Sequence, residues 1–286
     1  MSLTEAPESP KGRPALHPPE LYACDKIAEG VEGLAAVTEE DVARYQEQGY
    51  LVVHSAFTEA EVSAAMQGLL HLISGGNPEF DRFDIEEMAK DRWPTLVGEE
   101  RQYATRKIMD FTPFDSRLLA MAEHPQLRAV LERLIGATPE RFQDMALIKP
   151  PQIGREKPWH QDLAYFDLPL GTRVVGVWIA LDEATIENGC MHVLEGGHRE
   201  GPRFHFQIRD WQICDTEMLG RKCVAVPLKP GGCLFFDGLL PHGTPHNLSP
   251  HRRRALQFHY RPAGVEANAS EERKTAFGGE GNGVSC

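Results

Sequence analysis

The segment "PWHQDLAYF" places two groups that can bind a metal, the imidazole of His160 and the carboxylate of Asp162, two positions apart in an apolar, aromatic context. Such groups are costly to bury unless they have a partner. Residues i and i+2 of a β-strand point to the same side. The His-x-Asp spacing therefore predicts that both side chains offer a ligand atom to one cation.

Two protein ligands make a weak metal site, so a third is expected further along the chain. His242 follows the apolar run "GGCLFF" and lies at a Pro/Gly turn, where a predicted strand ends. Two histidines and one carboxylate form the facial triad of non-haem Fe(II) oxygenases, which leaves metal positions open for substrates. A zinc site would instead favour a closed or nearly closed tetrahedral shell. We therefore predict a ferrous site formed by His160, Asp162 and His242.

The segment "HRRRAL" supplies a candidate anion-binding group, because Arg252, Arg253 and Arg254 lie ten to twelve residues after His242. A 2-oxoglutarate molecule that chelates iron through its keto-acid end leaves a second carboxylate free, and a guanidinium binds a carboxylate through two hydrogen bonds. Only alternate residues of a strand face the interior. Either Arg253 alone, or Arg252 together with Arg254, is therefore expected to face inward.

The sequence pattern of the N-terminal half predicts helices that could support this site. A helix is expected over 38–49, a strand over 50–57 and a second helix over 58–76, with threonine at both N-caps and glycine at both ends. A third helix is expected over 116–134, with a break near Pro125.

From residue 140 onward, short apolar runs alternate with Gly/Pro turns, a pattern typical of a β-sandwich or small barrel. Helices followed by strands indicate a mostly β fold with flanking helices that pack on one face of the sandwich. The chain is accordingly divided into a flexible N-terminal arm over 1–36, one domain over 37–265 and a C-terminal tail over 266–286.

The 286-residue chain carries a formal net charge of −12, which disfavours nucleic acid as a partner because phosphate backbones are also anionic. No apolar run approaches the roughly 20 residues that span a bilayer, and the first 20 residues lack the apolar core of a secretory signal. Six cysteines occur without Cys-x-x-Cys spacing. We therefore expect a cytoplasmic protein without membrane contacts, in which all six are reduced thiols.

Three segments together resemble a known family: "HQDLAY", "VWIALDEATIENGCMHVLEGGH" and "GGCLFFDGLLPHGTPHNLSPHRRRALQFHY". They are similar to the phytanoyl-CoA dioxygenase family of Fe(II)/2-oxoglutarate-dependent oxygenases, and the similarity is densest over 143–261. The ordered set of motifs is far more specific than any one of them. The resemblance implies a double-stranded β-helix, a jelly roll related to the cupins, and it implies Fe(II), 2-oxoglutarate and O2 as cofactor and co-substrates.

The resemblance also assigns roles to individual residues. It implies that His160, Asp162 and His242 bind the iron, and that Arg253, eleven residues beyond His242, binds the distal carboxylate of 2-oxoglutarate. Further residues match co-substrate contacts of the family: Thr244, Trp178, Gln161, Met145 and Lys107.

The function implied is oxidation, typically hydroxylation, of an unactivated C–H bond in a small-molecule substrate, with 2-oxoglutarate converted to succinate and CO2. The alternatives are a cupin-type metal-dependent hydrolase or isomerase, and a non-catalytic metal-binding sensor. A monomer or a homodimer is expected.

Two segments are expected to form the lid that selects the substrate, 77–106 and 199–222, because long loops on a rigid scaffold usually carry specificity. In the second segment, four side chains are candidates for contact with a polar or anionic substrate, although a solvated loop would explain them equally well: Arg203, His205, Arg209 and Trp211.

Overall fold

The helices of the N-terminal half begin and end where local signals predict. A computed structural model describes residues 17–279 and Cys286. Its helices are α1 Glu39–Gln48, α2 Glu59–Ile73, α3 Gly98–Ala104, α4 Ser116–Ala122, α5 Pro125–Ile135, α6 Asp215–Met218 and α7 Ser270–Phe277. Thr38 and Thr58 each form a capping box, and Gly49 ends α1 in the left-handed conformation. Pro125 opens α5, so the predicted third helix is two helices, as expected. No helix among the described residues is both long and apolar enough to cross a membrane.

Most strands lie after residue 138, where the sequence alternates short apolar runs with turns, and the described part of the N-terminal half adds five more. In chain order they are β1 Lys26–Ile27, β2 Gly30–Glu32, β3 Tyr50–His54, β4 Phe83–Ile85, β5 Thr105–Met109, β6 Pro139–Lys149, β7 Lys157–His160, β8 Val175–Ala180, β9 Met191–Val193, β10 His205–Gln207, β11 Trp211–Ile213, β12 Val224–Val226, β13 Cys233–Asp237, β14 His242–Thr244 and β15 Arg253–Pro262.

Two sheets face each other. The larger has the order β2-β3-β13-β8-β15-β6-β5-β4, and the smaller has the order β1-β12-β9-β14-β7. Apolar side chains of both sheets, including Trp178, Phe236, Met191 and Val226, form one cluster between them. The fold is therefore the predicted sandwich, with a mainly antiparallel pattern inside each sheet.

The helices cover the outer face of the larger sheet. Leu69 of α2 and Leu131 of α5 belong to the same buried cluster as Val177, Leu256 and Phe258 of the sheet. Alternation along each strand then directs every second side chain inward, away from the helices. The predicted packing of helices on one face is thus confirmed, and it leaves the opposite face of β15 and β6 for a functional site.

The prediction of a flexible arm over 1–36 does not hold for residues 17–36. In this segment β1 pairs with β12 and β2 pairs with β3, both in parallel, so the chain adds one edge strand to each sheet. Leu21 and Tyr22 are buried against Trp159. The strands are short and mostly exposed, so they lack the alternation that would have revealed them. Residues 1–16 lie outside the described part of the chain.

The predicted C-terminal tail, 266–286, contains the helix α7. Phe277 is buried, and Arg273 donates to the Asp167 carboxylate at 2.7 Å and to the Ala164 carbonyl at 2.9 Å. These contacts attach α7 next to the turn that follows β7. The prediction of a frayed end is therefore wrong for residues 270–277, and residues 280–285 lie outside the description.

The expectation of six reduced thiols is wrong for four of them. Cys24 forms a disulfide with Cys223, 199 residues away, and Cys214 forms one with Cys286; Cys190 and Cys233 are free and buried. Motif spacing could not reveal pairs at such separations, because only the fold brings them together.

We expect the Cys24–Cys223 bond to stabilise the protein, because it fixes the segment over 17–36 to the smaller sheet. Cys24→Ser should lower the free energy of unfolding by about 2–5 kcal/mol. Thermal unfolding without reductant measures the effect, and peptide mapping under non-reducing conditions serves as the control. Free thiols at both positions in the folded wild-type protein would contradict this expectation.

Candidate active site

The two histidines of the predicted triad lie on neighbouring strands of the smaller sheet. His160 ends β7, His242 begins β14, and the two residues are directly paired across the strands. Their ring centres are 4.2 Å apart. The pairing shows why residues far apart in sequence share one site: β14 runs antiparallel to β7 and begins at the point where β7 ends.

Asp162 reaches the same point by a different route from the one predicted. The strand stops at His160, and Asp162 opens a short 3-10 turn over Asp162–Tyr165. The Oδ1 atom of Asp162 lies 3.2 Å from His160 Nε2 and 3.6 Å from His242 Nε2. One ligand atom from each of the three residues lies within 4.8 Å of the other two, so the triad converges as the sequence predicts.

Both imidazoles are oriented for metal binding by backbone carbonyls. His160 Nδ1 donates to Pro158 O at 2.7 Å, and His242 Nδ1 donates to Leu240 O at 2.9 Å. A ring that carries its hydrogen on Nδ1 has a free lone pair on Nε2, and such a second hydrogen bond is usual for histidines that bind metals. Both Nε2 atoms face Asp162, so the donor set suits a divalent ion that accepts nitrogen and oxygen ligands.

The charge states of the buried site are also those that a metal requires. Burial alone would raise the pKa of Asp162, but the neighbouring His242 and His259 hold that pKa well below its usual range. Burial, followed by the charge of His160, lowers the pKa of His242 to about 3. At neutral pH the carboxylate is therefore ionised and His242 is neutral, the forms that bind metal ions.

Arg253 is a buried cation that has no anionic partner among the described residues. It is 1% exposed, lies on β15, and its Nε and Nη1 atoms have no hydrogen-bond partner among the described residues. Its guanidinium carbon lies 5.3 Å from the centre of the Trp178 ring. Burial lowers the pKa of Arg253 to about 10, so the group remains charged at neutral pH. Since a buried, unpaired charge is costly, this guanidinium fits an anionic ligand such as a carboxylate.

The side chains of Arg252 and Arg254 bind acidic residues elsewhere and do not line the cavity. Arg252 pairs with Glu99 at 2.9 Å, and Arg254 binds both oxygens of Asp182 at 2.7 and 2.8 Å. The alternative of Arg252 together with Arg254 as the inward pair is therefore not the arrangement found. Arg253 is the arginine that faces the space between the sheets.

A single cavity of about 440 Å³ connects the triad with Arg253. Of the predicted site residues, Lys107, Met145 and Thr244 also line it. Trp178 does not line the cavity; it is fully buried and packs against the guanidinium of Arg253.

Gln161 does not face this cavity. Its amide donates to the carbonyls of Gly201 and Leu239 and accepts from the backbone N–H of Arg203. These hydrogen bonds hold the loop that follows β9 in place, so Gln161 stabilises the structure around the site. The side chain therefore does not lie where the expected co-substrate contact would require it, because the strand ends at His160 and turns this side chain away from the cavity.

The residues of this site lie within a region of the chain that is similar to a known protein family. The sequence profile of the phytanoyl-CoA dioxygenase (PhyH) family matches residues 45–255, a span that includes the triad and Arg253. This chain belongs to the phytanoyl-CoA dioxygenase family.

Relatives within and around the family cover most of the chain. The phytanoyl-CoA dioxygenase domain-containing protein 1 of Danio rerio is 24% identical over 261 residues, which are 78% of this chain and 89% of that protein. The crystal structure of EvdO2 from Micromonospora carbonacea var. aurantiaca, in complex with 2-oxoglutarate, is 27% identical with a TM-score of 0.62 and covers 80% of this chain and 92% of its own. The epimerase SnoN in complex with Fe3+, alpha ketoglutarate and nogalamycin RO has a TM-score of 0.63 at 21% identity, covering 79% and 83%. The predicted family, the jelly-roll fold, and the cofactors iron and 2-oxoglutarate agree with these findings.

The predicted lid segments reach the cavity through residues other than those singled out. Asp84, Arg106 and Asp210 line its rim. In contrast, Arg203 pairs with Glu200 and Glu217, Arg209 pairs with Glu156 and Asp215, and His205 Nε2 accepts from the Gln161 backbone N–H at 3.0 Å. Trp211 is buried, and none of the four candidates lines the cavity.

The rim of the cavity carries charges that are paired with one another. Lys157 Nζ lies 2.9 Å from Asp210 and 3.0 Å from the Tyr165 hydroxyl, and Arg106 lies 3.6 Å from Asp210. Asp210 could not be predicted from the sequence, because the local pattern of a loop does not determine where its side chains point. Gln257 and His259 were also missed, although a strand period of two from Arg253 would have placed them on the same face.

Proposed function

We propose that this family member is an Fe(II)- and 2-oxoglutarate-dependent dioxygenase that oxidises an unactivated C–H bond of a small molecule, typically by hydroxylation. The observation that carries the proposal is Arg253, a buried guanidinium that finds no anion in the described part of the chain and faces the same cavity as the triad. A cupin-type hydrolase or isomerase could use the same three metal ligands, but it would have no need of a buried anion-binding group beside them.

In this proposal, some residues of the site hold the metal ion and others orient 2-oxoglutarate. Iron bound at this triad would activate O2 while 2-oxoglutarate is converted to succinate and CO2. His160, Asp162 and His242 hold one face of the ion and leave the other positions free for ligands. Arg253 binds the distal carboxylate of 2-oxoglutarate and fixes its direction through two parallel N–H donors. The surrounding sheets exclude water from the reacting groups.

Three further residues support the co-substrate in this proposal. Thr244 is buried on β14, two positions after His242, and its hydroxyl assists Arg253. Met145 provides an apolar wall, and it lies beside Gln257 of β15 and Met109 of β5. Trp178 supports Arg253 through the contact of its ring with the guanidinium.

Lys107 is proposed as a second cationic contact for 2-oxoglutarate. It lines the cavity, burial lowers its pKa, and no acceptor among the described residues bonds to its ammonium group. Lys107→Met is expected to raise the KM for 2-oxoglutarate by roughly 10-fold, the loss of about one charged hydrogen bond. Steady-state succinate formation measures the change.

Arg106→Met is the matched control, since it removes one positive charge from the same cavity but from a group that already has Asp84 and Asp210 as partners. A similar KM increase in both variants would indicate a general electrostatic effect and would contradict the specific contact of Lys107.

The substrate is proposed to be small because the cavity must also hold 2-oxoglutarate. Its volume of about 440 Å³ lies at the lower end of ordinary ligand pockets. Beside Arg253 and Lys107, its walls include the apolar side chains of Met109, Leu147 and Phe166. Its rim carries the paired charges of Lys157 and Asp210. A compact molecule with an apolar reacting part and a polar end suits this division.

An assay of succinate formation tests the proposed function. Purified protein is incubated with Fe(II), ascorbate, 2-oxoglutarate and a metabolite panel, and succinate is measured with and without each metabolite. We expect Fe(II)-dependent succinate formation that a substrate increases. Metal-dependent hydrolysis or isomerisation without consumption of 2-oxoglutarate would favour the alternative enzyme class. Metal and 2-oxoglutarate binding without turnover on a broad panel would favour a sensor.

A further inference from the structure

The two oxygens of the Asp162 carboxylate have different partners. Oδ1 faces the Nε2 atoms of His160 and His242. Oδ2 points to β15, where His259 Nε2 lies at 2.7 Å and Gln257 Nε2 at 3.3 Å. One oxygen is therefore directed to the metal position, and the other is held by the larger sheet.

Among the described residues, His259 makes its main polar contact with the Asp162 carboxylate. The residue is fully buried, and its Nδ1 atom has no hydrogen-bond partner among the described residues. Apart from a 3.4 Å approach to the Gln257 amide, its polar contact is with the Asp162 carboxylate. Because an ionised carboxylate only accepts, the hydrogen lies on Nε2 and is donated to Oδ2. The aromatic rings of Phe166 and Phe236 have their centres 5.0 and 6.2 Å from the centre of the imidazole and limit its movement.

The backbone around His259 is held by neighbouring strands on both sides. β15 is paired on both sides, with β6 and with β8, so its position is fixed by two strands. The pairing with β6 shifts register between His259 and Tyr260. The extra residue lies on β6, whereas β15 pairs with β8 without a shift, so the backbone position of His259 is set by regular pairing.

We propose that His259, assisted by Gln257, is a positioning residue that holds Asp162 as a one-oxygen metal ligand. This inference rests on the metal site of the proposed function. Without the donor on Oδ2, the carboxylate could rotate and bind the ion through both oxygens, which would occupy a position that 2-oxoglutarate and O2 need. Hydrogen bonds to a metal ligand typically contribute roughly 10- to 100-fold to metal affinity.

The test measures metal binding directly, without turnover. Wild-type protein and His259→Leu are titrated with Co(II), with the visible spectrum of bound Co(II) as the readout. We expect a Kd that is roughly 10- to 100-fold higher in the variant, and a changed spectrum because the coordination changes. His259→Gln should recover part of the affinity, since its amide can donate to the same oxygen.

Tyr260→Phe is the matched control. It lies next to His259 on the opposite face of β15 and loses one buried hydrogen bond, from the tyrosine hydroxyl to Ala122 O at 2.7 Å. The control should lower stability while leaving the Co(II) Kd and spectrum unchanged. An equal rise of Kd in Tyr260→Phe and His259→Leu would overturn the proposal, because a loss of general stability would then explain both.

The outcomes separate this inference from the proposed function. If wild type and His259→Leu bind Co(II) with the same Kd and spectrum, the positioning role is overturned and the metal site stands. If wild type binds no Co(II), the proposed function and this inference are both overturned. If His259→Leu does not fold, Gln257→Met decides: a severalfold higher Kd supports the proposal, and a wild-type Kd overturns it.

Discussion

Asp162→Ala is expected to abolish both high-affinity Fe(II) binding and the formation of succinate from 2-oxoglutarate. The carboxylate is the anionic member of the triad, and its Oδ1 lies 3.2 Å from His160 Nε2 and 3.6 Å from His242 Nε2. Its loss leaves two neutral imidazoles, which form a much weaker site for a hard divalent ion. Iron content after anaerobic loading and desalting, together with the succinate assay, measures both effects.

A second buried aspartate provides the control for folding. Asp144 accepts from Phe111 N at 2.6 Å, from the Thr112 hydroxyl at 2.7 Å and from Arg141 at 2.7 Å, on the face of β6 that is remote from the cavity. Asp144→Asn should lower the melting temperature but keep one iron per chain. Retention of tightly bound iron and turnover by Asp162→Ala would show that the triad is not the metal site.

Arg253→Met is expected to raise the KM for 2-oxoglutarate by roughly 100-fold, which corresponds to a loss of about 3 kcal/mol for a charged, bidentate contact. Methionine keeps most of the stem of the side chain and removes the guanidinium, so packing against Trp178 is partly retained. Iron binding should change little, since Arg253 is not a ligand. Initial rates over a range of 2-oxoglutarate concentrations, and iron content, separate the two effects.

Arg254→Gln is the matched control, one position along β15. Its guanidinium binds Asp182 on the other side of the sheet, so its loss should reduce stability and leave the KM for 2-oxoglutarate near the wild-type value. If Arg254→Gln raised the KM and Arg253→Met did not, the inward-facing register of β15 would be wrong by one residue.

Local and short-range signals made much of the fold and the triad predictable. Capping by Thr38 and Thr58 depends on residues three apart, and both helices begin where that signal lies. The His-x-Asp motif and the distal His242 predict a metal site because few other combinations of residues match this ligand set, and the fold brings the three side chains together. For the three arginines, the strand period reduced the choice to two registers, and the family resemblance selected Arg253.

Features set by distant contacts were not predictable from the sequence. The pairing of Cys24 with Cys223 depends on the route of residues 17–36 across the smaller sheet, and nothing in the local pattern marks that route. Gln161 lies inside the metal motif but points away, because the end of β7 at His160 decides its direction. His259 was within reach of the period-two argument, yet its role becomes visible only when Asp162 is seen beside it.

A crystal structure obtained anaerobically with Fe(II) and 2-oxoglutarate, with anomalous data collected at the iron edge, tests the central claim most directly. We expect one anomalous peak bonded to His160 Nε2, Asp162 Oδ1 and His242 Nε2, and 2-oxoglutarate with its distal carboxylate on Arg253. An iron peak at another set of residues, or 2-oxoglutarate bound away from Arg253, would contradict it.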